Sequence, residues 1–484
     1  MGYTPPDQNH GAVAEYNGDI IYVENNDSLA LKTIINDKIP LYSSITFKAI
    51  EHEIPNYVNT VKSEEHSIFE EKYNQLVNYV DSKWNKSLTA IQTTEAYERV
   101  KQLYNYINNT YLTPETGLPK DIEINTNGLF KSVAWHPHQD ILAVASNADC
   151  IYLYTKKDSM WTCQVLEHKL MKDIRCIQWK TKATGTLAVG CKSGVCVWTI
   201  ESHINYNQGI RYHPAASMRY FDYPECVTAL AWDPSPGSHL LAVASSASSM
   251  LTVQDVLLNR TVCLKRYGKG TTLLRWSYDG KWLFAGGATG ISRLWNSDDW
   301  TSKQLKNPPG LWVQAACWLP DNTTLLYSMK GKNDIHALCL SGSTFKNGKN
   351  IEIWDIKIKS VNAPNTDSNV IRDLCIDSRH GQRLAVIFED SAFIGIYNVQ
   401  ISPLNLREKN IFTSIGYLRG AKVEYEVDGA VKVTPLKDDA RPLHISFSSS
   451  YKYGAVLAVA WDNGTMSFVT HTFKSDRDFN NHFM

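Results

Sequence analysis

Residues 227–256 read VTALAWDPSPGSHLLAVASSASSMLTVQDV, and this stretch limits the possible folds more than any other in the chain. Val227 to Trp232 alternates and then meets Asp233-Pro234-Ser235-Pro236-Gly237, a cluster whose residues bend the backbone. Leu240 to Ala244 is almost wholly apolar. After a serine-rich bend, Leu251 to Val256 forms a third run rich in β-branched residues. Three short strands joined by tight turns make an antiparallel meander. One meander leaves both its faces bare, so it needs neighbours of its own kind.

The chain repeats the unit. Ser132 to Thr155, Ile174 to Thr199 and Thr271 to Trp295 follow the same template, and weaker copies run Val313 to Leu340, Ile371 to Val399 and Pro442 to Thr470. The first strand of five units ends on tryptophan: Trp135, Trp179, Trp232, Trp276 and Trp318. Ile376 and Phe447 hold the matching places in the last two. The intervals run from roughly 42 to 71 residues, and the shortest fit the ~40–45 residue blade of WD-type propellers. The expected fold is all-β, a seven-bladed WD40-type β-propeller over residues 129–473. Outer strands are expected at Trp161 to Glu167, Arg260 to Tyr267, Trp300 to Leu305, Ile351 to Ile358 and Ile411 to Leu418.

The seventh unit has no such outer run before the short polar tail, 474–484. Asp19 to Glu24 (DIIYVE) has strand character and no local partner, so the economical expectation is that it completes the seventh blade, within an N-terminal segment 1–26 otherwise expected to lack order. Closure of that kind removes exposed sheet edges. Residues 27–128 read as a linker and a helical hairpin. Phe69, Tyr73, Leu76, Val80 and Trp84 recur at helical spacing, as do Tyr97, Val100, Tyr104, Ile107 and Tyr111. Longer insertions are expected at Glu201 to Met218, Ser341 to Asn350, Gln400 to Asn410 and Arg419 to Arg441, and such loops on propellers are candidate partner contacts.

Composition argues against several classes. Lys+Arg and Asp+Glu both number 49, and no polybasic run occurs, so no nucleic-acid partner is indicated. No signal peptide is expected. The longest charge-free stretch, Pro234 to Gln254, carries six serines and its own turn signals, so no membrane span is expected. The ten cysteines show no CxxC pair and read as buried reduced thiols. Gly268-Lys269-Gly270 fails the phosphate-loop pattern, and Ala285 to Gly290 is a hairpin turn rather than a dinucleotide fingerprint. His136 and His138 flank Pro137 at a strand end, a pairing that belongs to a turn far more often than to a metal. No catalytic, metal or cofactor residue is expected, and no enzyme.

Several stretches resemble one family. AWHPH (Ala134 to His138) with LAVA (Leu142 to Ala145) resembles the first blade of the aladin family of WD-repeat nucleoporins. DIIYVENND (Asp19 to Asp27), the helical region, and AWDNGTMSFV (Ala460 to Val469) are similar to the same family. The resemblance implies a non-catalytic scaffold of the nuclear pore complex in the nuclear envelope, anchored through a transmembrane nucleoporin and other pore proteins. It implies support of protein import, an association with spindle poles, and membrane contact only through a protein partner. The competing reading is a WD40 substrate receptor of a ubiquitin ligase. Its nearest signal is Trp354-Asp355-Ile356-Lys357, with lysine in the arginine place of the W-D-x-R motif.

Overall fold

The computed structural model describes residues 6, 9–24, 39–47, 129–200 and 216–473, apart from short internal gaps at 158–159, 184, 266–269, 289, 342–351, 365–368, 401–410, 426–430 and 438–439. The expected helical hairpin lies outside the described residues, as does the tail. Seven blade sheets, antiparallel but for one N-terminal strand in the seventh, follow one another, and the inner strand of each packs on the next until the seventh meets the first. The inner strands are Phe130–Trp135, Cys176–Trp179, Ala229–Trp232, Thr271–Trp276, Val313–Trp318, Ile371–Ile376 and Pro442–Ser448. The all-β seven-bladed propeller expected from the repeats is the fold.

The second strands explain the near-continuous apolar runs. A blade is covered on both faces, so successive side chains enter different cores. In Arg383–Phe388, Leu384 and Val386 pack towards blade five, whereas Ala385 and Ile387 pack towards blade seven. In Leu240–Ala244, Val243 faces blade two, and Ala242 and Ala244 face blade four. Five inner strands also slip register near their starts, between Phe130 and Ser132, Thr271 and Leu273, Val313 and Ala315, Ile371 and Asp373, and Pro442 and His444. Each slip adds twist to the strand that lines the channel.

Outer strands form at Met160–Leu166, Arg260–Lys265, Ser302–Lys306, Glu352–Ser360 and Phe412–Leu418, close to the expected runs. Blade two also has one, Ala216–Asp222, so the last residues of the expected insertion Glu201 to Met218 belong to a strand. Its sequence, ASMRYFD, lacks a β-branched run, and Met218 and Tyr220 supply the packing against blade two instead. The expected loop Arg419 to Arg441 likewise contains a hairpin, Ala421–Tyr425 with Val431–Pro435.

Ring closure differs from expectation in one respect. The strand beside the last blade is His10–Tyr16, parallel to Thr465–Thr472 through Ala14, Glu15 and Tyr16. Asp19–Glu24 pairs with His10–Tyr16, one place further out. The cause is Asn17-Gly18, whose φ angles of 52° and 97° make a two-residue hairpin loop of the type that matches strand twist. The first arm is the one narrow enough to enter. Ala12 and Ala14 are fully buried, and a Cβ on Gly11 would stand 2.6 Å from that of Ala421. A strap, residues 39–47, crosses the same junction: Ile45–Thr46 pairs with the seventh blade, and Trp161 Nε1 of blade one donates to Ser43 O at 2.7 Å.

Candidate functional site

The seven repeat positions all fall at or beside the ends of the inner strands, and four of the tryptophans act as clamps between blades. Trp179 Nε1 donates to Ala134 O at 3.1 Å, Trp232 to Gln178 O at 3.2 Å, Trp276 to Ala231 O at 3.1 Å, and Trp318 to Arg275 O at 3.0 Å. The acceptor is always the residue preceding the aromatic position of the previous blade. Indole joins a large apolar body to an N–H donor at its far edge. Ile376 and Phe447 have no donor, and Trp135 Nε1 has no partner among the described residues. The clamp therefore links blades one to five. The junction of seven with one relies on the strap and on Trp135 packing against Trp161 and Phe468.

A buried ionic latch fastens the N-terminal strand. Arg383 of blade six reaches Glu15 through Nε at 2.9 Å and Nη2 at 2.6 Å, and His471 of blade seven bonds the same carboxylate. Gly18 N–H donates to it at 2.8 Å. Glu15 is wholly buried and Arg383 nearly so. Burial by itself would raise the Glu15 carboxyl, but His471 and Arg383 outweigh it and hold it down to about 2. One strand thus ties two blades together. The latch was missed in the sequence because a lone Glu in an alanine-rich run looks like a solvent-facing residue; the Asn-Gly pair two residues later was the available signal.

The channel holds a cavity of about 250 Å³ near the clamp level. Of the repeat positions, Trp232, Trp276, Trp318 and Ile376 line it, whereas Trp135, Trp179 and Phe447 do not. Arg275 and Asp373 also line it, and neither was singled out by pattern. Burial pushes the Asp373 carboxyl up, opposed in part by Arg275. Burial likewise pushes the neighbouring Cys375 thiol up to about 12. Across the channel, burial and then Arg372 push His444 down to about 4, so it is a neutral ring bonded to Phe130 O.

The other candidates are structural. His136 is buried, and its Nδ1 accepts the N–H groups of His138 and Gln139, both at 3.1 Å, which shapes the turn. Among the described residues no group of three or more His, Cys, Asp or Glu side chains is arranged to hold a metal ion. The cysteines are free thiols; Cys163 and Cys263, on outer strands, are exposed rather than buried. Trp354 to Lys357 lies on the outer strand of blade five, not at the end of a third strand where a W-D-x-R motif belongs, and Asp355 accepts a bond from Tyr327 OH at 2.6 Å.

Set against known families, the sequence model of the Aladin seven-bladed propeller matches residues 122–472. The chain belongs to the aladin propeller family. Aladin of Arabidopsis thaliana is 23% identical over 371 residues, covering 72% of this chain and 76% of that protein. A shorter similarity, 25% over 175 residues, joins it to the protein transport protein SEC31 of Chaetomium globosum, covering 35% of this chain and only 13% of that protein. The aladin match spans all seven inner strands, so the family likeness rests on the whole ring and not on one repeat.

Proposed function

We propose that this protein is a non-catalytic WD-repeat scaffold subunit of the nuclear pore complex, attached to the nuclear envelope through a transmembrane nucleoporin and supporting protein import. A role at spindle poles is the outer extension of the same reading. Membership of the aladin family over residues 122–472 is the observation that carries it. Two features of the molecule agree with a platform role. Clamps, latch and strap tie blade to blade and close the ring. Three of the four expected insertions, Glu201 to Met218, Ser341 to Asn350 and Gln400 to Asn410, lie between a third strand and an outer strand, so the strand ends that carry them open on one face of the ring, as a partner surface requires. Among the described residues no helix is long and apolar enough to cross a membrane.

The test is localisation of the tagged full chain, followed by depletion of transmembrane nucleoporins one at a time. A rim signal that disperses on one depletion supports the proposal. A diffuse signal, or a rim signal that survives every depletion, overturns the scaffold or the anchoring respectively. Diffuse signal with co-purifying ligase subunits would favour the substrate-receptor reading instead.

A further inference from the structure

The channel cavity carries two charges that the scaffold reading leaves unused. Arg275, on the inner strand of blade four, crosses to blade five, where its Nε donates to Ala316 O at 3.0 Å. Its Nη1 donates to Leu274 O at 2.9 Å. Two of its three nitrogens are thereby fixed, and Nη2 carries no bond to a described residue. Asp373 comes from the inner strand of blade six. One carboxylate oxygen accepts the Leu374 N–H at 2.8 Å, and the other has no bond to a described residue. The two groups feel each other electrostatically, yet form no ion pair. Their held positions have a backbone cause: the guanidinium is tied to blade five, and the carboxylate follows the register slip between Ile371 and Asp373.

Opposite charges that share a recess without touching are each short of a partner, and both are half-buried, open enough to the channel for a ligand to reach them. Ligands of a single charge gain at one end and lose at the other: a carboxylate would meet Asp373, a cation would meet Arg275. A molecule bearing both signs satisfies both. The remaining lining is mixed: Trp232, Trp276, Trp318 and Ile445 offer apolar surface to a short aliphatic body, and Gln178, Thr181 and Tyr278 add polar groups beside it. The volume of about 250 Å³ is below most drug-sized pockets and suits a ligand of amino-acid size. We propose that the propeller channel is a binding site for a small zwitterion of amino-acid size, its carboxylate on Arg275 and its ammonium on Asp373. The charge-assisted bonds at each end give orientation as well as affinity. The site is independent of the pore reading, because it uses none of the outer surface.

The test is calorimetry on the full chain with glycine, alanine and γ-aminobutyrate, whose charges stand at different separations. Acetate, methylammonium and acetamide serve as single-charge and neutral probes. At least one zwitterion is expected to bind saturably, with every control about tenfold weaker or more. Asp373→Asn is the decisive variant: the amide oxygen can still accept the Leu374 N–H, so folding is kept while the negative charge is lost. It is expected to weaken the zwitterion about tenfold or more with the melting temperature little changed. Arg275→Gln should weaken it similarly, and its melting temperature separates loss of the site from loss of the tie to Ala316. The proposal is overturned if no zwitterion binds, if acetate or acetamide binds as tightly, or if Asp373→Asn binds like the wild type.

Discussion

Glu15→Gln is the most informative single perturbation, because it removes one charge from the latch and almost no volume. Glu15 is fully buried and Arg383 has only 6% of its side chain exposed, so the variant strands a guanidinium inside the protein. Breaking a buried pair from one side costs roughly 3–5 kcal/mol. An independent route gives a similar size. The carboxyl falls from 4.5 to about 2, a drop of about 2.5, and at ~1.36 kcal/mol per unit this is roughly 3 kcal/mol. Arg383 keeps its bonds to Asn398 Oδ1 at 2.9 Å and Gln382 O at 3.2 Å, which places the expected loss near the lower end. At about 2 °C per kcal/mol for a large domain, the melting temperature should fall by roughly 6 °C or more. The pH dependence has a definite sign. A carboxyl whose folded value is depressed stabilises the fold above its unfolded value, near 4.5, and loses that contribution as pH falls towards about 2. Wild type should therefore lose more stability than Glu15→Gln between those limits. Replacing both partners, Glu15→Met with Arg383→Met, should recover much of the loss, since no charge is then stranded. The assay is thermal unfolding of wild type and the two variants from neutral pH down through that range. A Glu15→Gln protein that melts with wild type at neutral pH would refute the latch.

The clamp predicts an asymmetry between equivalent residues. Trp276→Phe leaves the Ala231 carbonyl without its donor and should cost about 1–3 kcal/mol beyond the lost ring volume, whereas Trp135→Phe, whose Nε1 has no partner, should cost measurably less; equal melting shifts would refute the clamp. Val243, 3% exposed in the core between blades two and three, should not tolerate Asp: several kcal/mol of a total of ~5–15 would be lost, seen as low soluble yield and early melting, and wild-type behaviour would show that the site is not core. Replacing Gln400 to Asn410 with a short Gly/Ser linker should leave the melting temperature unchanged, so that any loss of rim signal reports a contact; early melting would give that segment a folding role instead.

The sequence by itself determined the repeat, the blade count and the identity of most strands. Turn clusters such as Asp233 to Gly237 and second strands such as LLAVA are local features, readable without knowing what lies across from them. Even the hairpin of the N-terminal segment was written locally, in Asn17-Gly18. Which of its arms enters the seventh blade was not local: that depended on the narrow gap beside Ala421 and on Arg383 and His471, hundreds of residues away in the chain. The same holds for the tryptophans. Their spacing marked the blades, but the carbonyl each indole bonds belongs to another blade, and that Trp135 Nε1 lacks such a partner among the described residues is decided by the packing where blade seven meets blade one. Arg275 and Asp373 are the limiting case. About 100 residues separate them and no motif contains either, so only the closing of the ring, which brings blades four and six around one channel, made them neighbours.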